Sequence, residues 1–330
     1  MQHKAIPAMP GVTVSAIGFG CWSLGGGSGW EDSSDSESIA TVHKALDCGI
    51  TFFDTAPVYG FGGSERLLGR ALGSQRNAIF LASKCGLLWK GDHVIYRSLK
   101  ASDILADVEA SLMRLGTDHL DLLQLHWPDH TTPLEETAEA LETLLAAGKT
   151  RFVGVSNFSL ADTKRLSTMV PVASFQGLYN LCERNPSYYH ALELEYRTER
   201  EILPYCAEAG LAFIPYSPLF QGVLTGTLTT ETRFVTGDVR LENPKLNGPL
   251  FPRYIAAADD LDQIARDAGM TLVELSLSWL TSKPVISSVV CGAQHPDQIA
   301  ANAKAGDITL TADLMNAIDA ILLSHGLEAS

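Results

Sequence analysis

TFFDTAPVYG, residues 51–60, runs an apolar stretch into an acid at position 54 and a phenol at position 59. The stretch reads as a short buried strand that stops at Asp54 and opens into a turn containing Pro57 and Gly60. Two further runs end the same way: IFLASK (79–84) on Lys84 and LLQLH (122–126) on His126. A buried strand that stops on an ionisable side chain delivers that side chain to the edge of a sheet. If these strands are neighbours, Asp54, Tyr59, Lys84 and His126 converge at one edge as an acid, a phenol, an ammonium and an imidazole. That is the composition of a proton-transfer site.

Working outward, short apolar strands alternate with amphipathic helices. Strands are expected at 14–20, 51–54, 77–84, 120–126, 151–156, 173–177, 211–216 and 285–290. Helices are expected at 37–48, 64–72, 101–115, 133–148, 160–168, after Pro204, and at 253–268, 272–281, 296–304 and 311–323. Eight strands with helices between them predict a (β/α)8 barrel, a single domain over 1–330 with large loops at the C-terminal face. The stretches 178–202 and 220–252 lack a clean period and are the candidate loops. A doubly wound sheet is the competing architecture. It calls for a glycine fingerprint after the first strand, and GFGCWSLGGG (18–27) has the wrong spacing.

The 24 basic and 38 acidic side chains leave a net charge of −14 without a polybasic run, which argues against nucleic acid and anionic membranes as partners. The 46% hydrophobic content suits a large core. Six scattered cysteines lack a CxxC pair, so free thiols in a reducing compartment are expected. No signal-like or membrane-spanning run is present, and a cytoplasmic location is expected. Asp129 and His130 are too few for a metal centre, and no metal is expected.

Under the barrel geometry, a carboxylate beside an ammonium offsets its desolvation, and the ammonium is expected to lower the pKa of the Tyr59 phenol. That phenol would protonate an oxygen gaining negative charge, with His126 polarising the same oxygen. Read from these residues alone, Lys84 as a Schiff-base nucleophile is a competing chemistry.

FFDTAPVYG, LASK, LLQLHWPD, GKTRFVGVSNFS, QGLYNLCER, YSPLFQGVLTG and GAQHPDQIAAN together resemble the aldo-keto reductase superfamily, from about residue 11 to 305. LPYC and GDVRLENPKLNG are closest to bacterial and plant branches handling small aldehydes or aldoses. The resemblance implies a barrel that binds NADP(H) or NAD(H) without a Rossmann domain or metal. It implies Tyr59 as general acid/base, Lys84 and Asp54 as its tuning pair, and His126 as orienter of the carbonyl. Ser156, Asn157 and Gln176 would meet the nicotinamide carboxamide, with Tyr216 stacked on the ring. Ser217, Leu219 and Gln221 would line the pyrophosphate, and Gly292, Gln294, Gln298 and Asn302 the adenosine end. Trp22, Trp30 and Trp127 would line the substrate cleft, and Glu183 and Arg184 are candidate contacts to polar substrate groups. NADP(H) is expected ahead of NAD(H) because the family more often uses it, although 285–303 contains no Arg or Lys and Ala301 replaces the family's Glu. The implied activity is NADPH-dependent aldehyde reduction. An aldose dehydrogenase and a non-catalytic, nucleotide-binding redox sensor are the alternatives. Oligomeric state is left open by the sequence.

Overall fold

The computed structural model describes residues 1–26, 29–30 and 34–327. Eight parallel strands form one sheet: β1 (Ile17–Gly20), β2 (Phe52–Asp54), β3 (Phe80–Cys85), β4 (Leu120–Leu125), β5 (Thr150–Ser156), β6 (Val172–Leu178), β7 (Ala212–Tyr216) and β8 (Val289–Gly292). They pair in chain order, with β8 beside β1. A bridge between Phe213 and Ile286, with Ser287 N–H donating to Phe213 O at 3.0 Å, joins β7 to the approach of β8 and closes the barrel. The expected (β/α)8 barrel is the observed fold.

Strand alternation explains why this barrel has an oily floor and a polar mouth. Side chains two apart share a face. On the inner face Phe52 is followed by Asp54, Phe80 by Ala82 and Lys84, Leu122 by Gln124, and Ala212 by Ile214 and Tyr216. Phe52, Phe80, Ala82, Leu122, Ala212, Ile214 and Val290 form an interior cluster with Ile6, Met9, Val12 and Val14 from the N-terminal segment. That segment folds as a hairpin, His3–Ala5 against Thr13–Ser15, and plugs the barrel floor. The opposite parity (Phe53, Leu81, Leu123, Val153, Val155, Phe175 and Phe213) packs outward in the second, larger core.

Ten helices of seven or more residues are described. The first five are α1 (Asp35–Asp47), α2 (Gly63–Leu72), α3 (Ala101–Leu115), α4 (Leu134–Ala146) and α5 (Leu160–Ser167). The others are α6 (Leu203–Ala209), α7 (Phe251–Asp267), α8 (Leu272–Thr281), α9 (Pro296–Lys304) and α10 (Ala312–Ser324). In α3, Ile104, Val108, Leu112 and Leu115 are buried, and each such side chain contributes about 1.5–3 kcal/mol on leaving water. Gly116 ends that helix at φ 65°, and its N–H caps Leu112 O and Met113 O. Thr271 and Glu274 open α8 with a reciprocal capping box. Among the described residues, no helix is long and apolar enough to cross a membrane.

Two local expectations are corrected, and one element is added. The run 14–20 divides at Ala16, because Thr13–Ser15 belongs to the floor hairpin. The run 285–290 makes only the Phe213–Ile286 bridge, Ser288 Oγ turns back to Ser15 O at 2.8 Å, and regular pairing starts at Val289. A hairpin, Leu87–Lys90 against Val94–Arg97, follows β3 in a stretch to which the sequence reading assigned no element. Its tip residues Val94 and Ile95 are exposed, so burial left no periodic pattern there.

Asp107 on α3 sits buried behind β3, where Gly86 N–H reaches it at 3.3 Å. Burial, and then repulsion by Glu65, push its pKa up to about 7. An acid raised in this way contributes stability that is full below its unfolded value of 3.8 and lost as pH rises through about 7. Asp107→Asn is therefore expected to be more stable than wild type at pH 8 by about 2–4 kcal/mol, and about equal to it at pH 4. Urea unfolding at the two pH values checks this, and equal stability at pH 8 rejects it.

Candidate active site

Strand register brings the strand-end groups together. Asp54 lies level with Gly20 and Ala82, while Lys84, two residues further along β3, lies level with Gln124. Lys84 and Asp54 are both almost fully buried, 1% and 2% exposed, and form an ion pair. Lys84 Nζ also donates to Thr55 O at 3.0 Å and to Tyr59 Oη at 3.3 Å, so all three of its protons have partners. The second oxygen of Asp54 accepts from Gln176 Nε2 at 2.9 Å and Gln124 Nε2 at 3.2 Å. Gln124 was absent from the sequence reading. The signal was there, a polar residue inside the apolar run LLQLH in phase with His126.

Tyr59 stands on the turn after β2, its N–H bonded to Ala56 O at 3.2 Å. Gly60 follows at φ 55°, and a Cβ there would lie 2.5 Å from Gly26 O, so the loop after β1 packs directly on the residue beside the phenol. The ammonium does not lower the Tyr59 pKa as expected. Burial raises it well above the usual phenol value of 10.0, and Asp54 and then Cys21 raise it further. Burial and the nearby negative charge of Asp54 together decide the sign, in spite of the Lys84 ammonium bonded to the phenol. Tyr59 is held as the neutral acid.

The His126 ring meets Tyr59 edge to face, with centroids 5.7 Å apart. Burial, then Lys84 and Arg97, depress its pKa well below 6.5, which leaves a neutral imidazole. A proton-bearing phenol and a neutral imidazole thus face the same space at the barrel mouth. Cys85 O accepts the His126 N–H at 3.0 Å and ties β3 to the histidine.

Of the expected carboxamide contacts, Asn157 is fully engaged. Its amide donates to His126 O and Ser156 Oγ and accepts from Tyr216 Oη at 2.9 Å and Tyr196 Oη at 3.2 Å. It sits at φ 63° and braces the site. Ser156 uses its oxygen as an acceptor there, which leaves its O–H to give. Gln176 spends its NH₂ on Asp54, and among the described residues its carbonyl oxygen makes no hydrogen bond. One donor and one acceptor are the complement of a primary carboxamide.

Tyr216 ends β7 with its ring edge-on to Tyr189 at 5.1 Å. The chain beyond it coils through positive φ at Ser217, Phe220 and Gln221, with Leu219 between, packed against the core. Gln221 bonds His190 Nε2 at 2.9 Å and Asn243 Nδ2 at 2.8 Å, so both ends of its amide link loops. Gly292 closes β8, and its carbonyl accepts from Asn302 Nδ2 at 3.2 Å. Gln298 Oε1 caps the Gln294 N–H at 2.8 Å, while Thr41 Oγ1 donates to Gln294 O at 3.3 Å. His295 Nδ1 lies 2.7 Å from Glu37 Oε1, which puts a carboxylate at this end of the cleft.

Trp22 lies over Tyr59 with centroids 6.1 Å apart, and Trp30 meets Trp22 edge-on at 5.5 Å. Trp127 lies on the His126 side, nearly buried, with the Arg97 guanidinium 4.7 Å above its ring. Glu183 and Arg184 do not come to the cleft wall as a pair. Glu183 is buried against Lys245 and Asn180, and Arg184 bonds Asp319 and covers Trp279. The group of three possible metal ligands found among the described residues, His130, Asp162 and Glu195, shares no residue with the quartet. Asp129 is not one of them: burial acts to raise its pKa, but hydrogen bonds from Thr131, Thr132 and Leu99 outweigh that and hold it at about 2.

The sequence pattern of the Aldo/keto reductase family matches residues 16–323. The chain belongs to the aldo/keto reductase family. It is similar to the aldo-keto reductase YhdN of Bacillus subtilis (strain 168), 37% identical over 98% of this chain and 94% of that one. It is also similar to the NADH-specific methylglyoxal reductase of Escherichia coli (strain K12), 31% identical over 91% and 92%. Among solved structures, the glycerol dehydrogenase AKR11B4 from Gluconobacter oxydans superposes with a TM-score of 0.86 at 35% identity, covering 98% and 95%. Membership of the aldo/keto reductases makes the chain a nicotinamide-dependent oxidoreductase of small carbonyls.

Lys84→Met leaves the Asp54 carboxylate buried without its counter-charge, an expected loss of about 3–5 kcal/mol. Asp54→Asn combined with Lys84→Met is expected to recover most of that loss. A double variant as unstable as Lys84→Met, measured by urea unfolding, would disprove the pairing energetics.

Proposed function

We propose that the protein reduces small aldehydes or ketones to alcohols, with Tyr59 as the proton donor. The observation that carries this reading is the meeting of Tyr59, His126 and the Lys84–Asp54 pair at one barrel mouth, where burial favours a protonated phenol and a neutral imidazole. The carbonyl oxygen would lie between Tyr59 Oη and the imidazole. As the carbonyl carbon gains a hydride, its π pair moves to oxygen and takes the Tyr59 proton. The tyrosinate left behind lies 3.3 Å from the Lys84 ammonium. A nicotinamide nucleotide supplies the hydride when bound. The free Ser156 O–H and Gln176 carbonyl fit its carboxamide, and Tyr216 would flank the ring. Trp22, Trp30 and Trp127 would wall an apolar pocket suited to small substrates.

A phenol kept protonated favours reduction over oxidation. The likeness to a glycerol dehydrogenase supports oxidation of a polyol or sugar as the second reading. Tyr59→Phe is expected to lower kcat for aldehyde reduction about 10³-fold while changing nucleotide affinity little. Turnover of an unactivated aldehyde within a few-fold of wild type would remove Tyr59 from its role. Because the Tyr59 pKa lies above the ordinary phenol value, kcat/KM for reduction is expected to show no loss from its ionisation up to about pH 9.

The choice between NADP(H) and NAD(H) would turn on Glu37 and His295. The carboxylate of Glu37 engages the one histidine available for a 2′-phosphate, which weighs against the NADP(H) preference expected from the sequence. An NADH-specific relative is consistent with that weight. Glu37→Gln is expected to raise the ratio of kcat/KM for NADPH to that for NADH about two- to five-fold, a modest change because both side chains are solvent-exposed. An unchanged or lower ratio would exclude Glu37 as a determinant.

A further inference from the structure

Arg97 is a cation without an assigned task. It ends the hairpin that follows β3, and its register partner Leu87 lies two residues beyond Cys85, whose carbonyl receives the His126 N–H. Its guanidinium lies 4.7 Å over the ring of Trp127, the residue after His126. Among the described residues it makes no ion pair and no side-chain hydrogen bond, so its five N–H groups have no protein acceptor. We propose that Arg97 is a specificity residue that receives the carboxylate of short aldehyde substrates carrying an anionic group a few bonds from the reacting carbonyl. This inference rests on the reading of the barrel mouth as a carbonyl-reducing site.

Several features suit Arg97 to that task. Contact with the Trp127 ring restrains the guanidinium, and its N–H groups remain for a two-pronged contact with a carboxylate. Burial disfavours its charge more than Glu195 and Asp129 favour it, so a further anion would be welcome. Those two carboxylates are otherwise engaged: Glu195 with His130 at 2.9 Å, and Asp129 with Thr131, Thr132 and Leu99 N–H. The charge of Arg97 is felt at His126, which locates it within electrostatic reach of the reacting groups.

The test compares succinic semialdehyde with its methyl ester, which keeps the aldehyde and the chain but lacks the charge. In the wild-type enzyme, kcat/KM for the acid is expected to exceed that for the ester about 10- to 100-fold. In Arg97→Ala that ratio should collapse toward one, and in Arg97→Lys it should fall part of the way. A wild-type ratio near or below one, or the same ratio in wild type and Arg97→Ala, overturns the proposal. A merely structural arginine would lower both substrates together and leave the ratio alone. Saturation-transfer NMR with butyrate and butyramide reads the anion subsite without turnover. Butyrate binding lost in Arg97→Ala supports the subsite even if neither aldehyde is reduced, a result that would instead dismiss carbonyl reduction. Butyrate binding that is indifferent to Arg97, with the ester still reduced, removes the subsite and leaves carbonyl reduction standing.

Discussion

The ion pair of Lys84 and Asp54 is the constraint to which the rest of the mouth answers. Either charge alone at that depth would be strongly unfavourable, so each exists there because the other does. Satisfying the remaining lone pairs of Asp54 draws in Gln124 from β4 and Gln176 from β6, and satisfying Lys84 draws in Thr55 and Tyr59. One buried pair thereby ties four strands and the catalytic turn into a single arrangement. Replaced by well-packed apolar side chains, the pair would cost the fold little. What it supplies is position.

Much of this could be read from the chain before any coordinates, for a physical reason. Inner-face residues alternate regularly, so a change from Phe52 to Asp54, or from Ala82 to Lys84, marks where the barrel interior stops being oil. Strand ends announce themselves in that way. The tuning of Tyr59 did not, because the sign of its pKa shift depends on how deeply the phenol is buried and how near Asp54 comes to it, and those are three-dimensional facts. Asn157 reads like a ligand contact in sequence, yet four hydrogen bonds consume it. The hairpin carrying Arg97 had no pattern to betray it, since its exposed Val94 and Ile95 are apolar without being core.

The irregular loops are organised by polar contacts that leave no periodic trace. Glu183, Lys245 and Asn180 form one buried cluster, and His190, Gln221 and Asn243 another, so the chain after β6 is fastened to the chain after β7. Across the mouth, Val239 N–H donates to Gly29 O at 2.7 Å, and Arg240 lies 5.6 Å over Trp30. The loops after β1 and β7 therefore meet. Buried networks of this kind are costly when half-formed and rigid when complete, which suits walls that must hold a cleft in shape.

The hairpin sealing the floor has a consequence for traffic. With Ile6, Met9, Val12 and Val14 filling one end, the barrel is a cup and not a tube. Everything that reaches Tyr59 must arrive and depart through the same rim. Any ligand held deep in such a cup would have to enter before, and leave after, whatever lies above it.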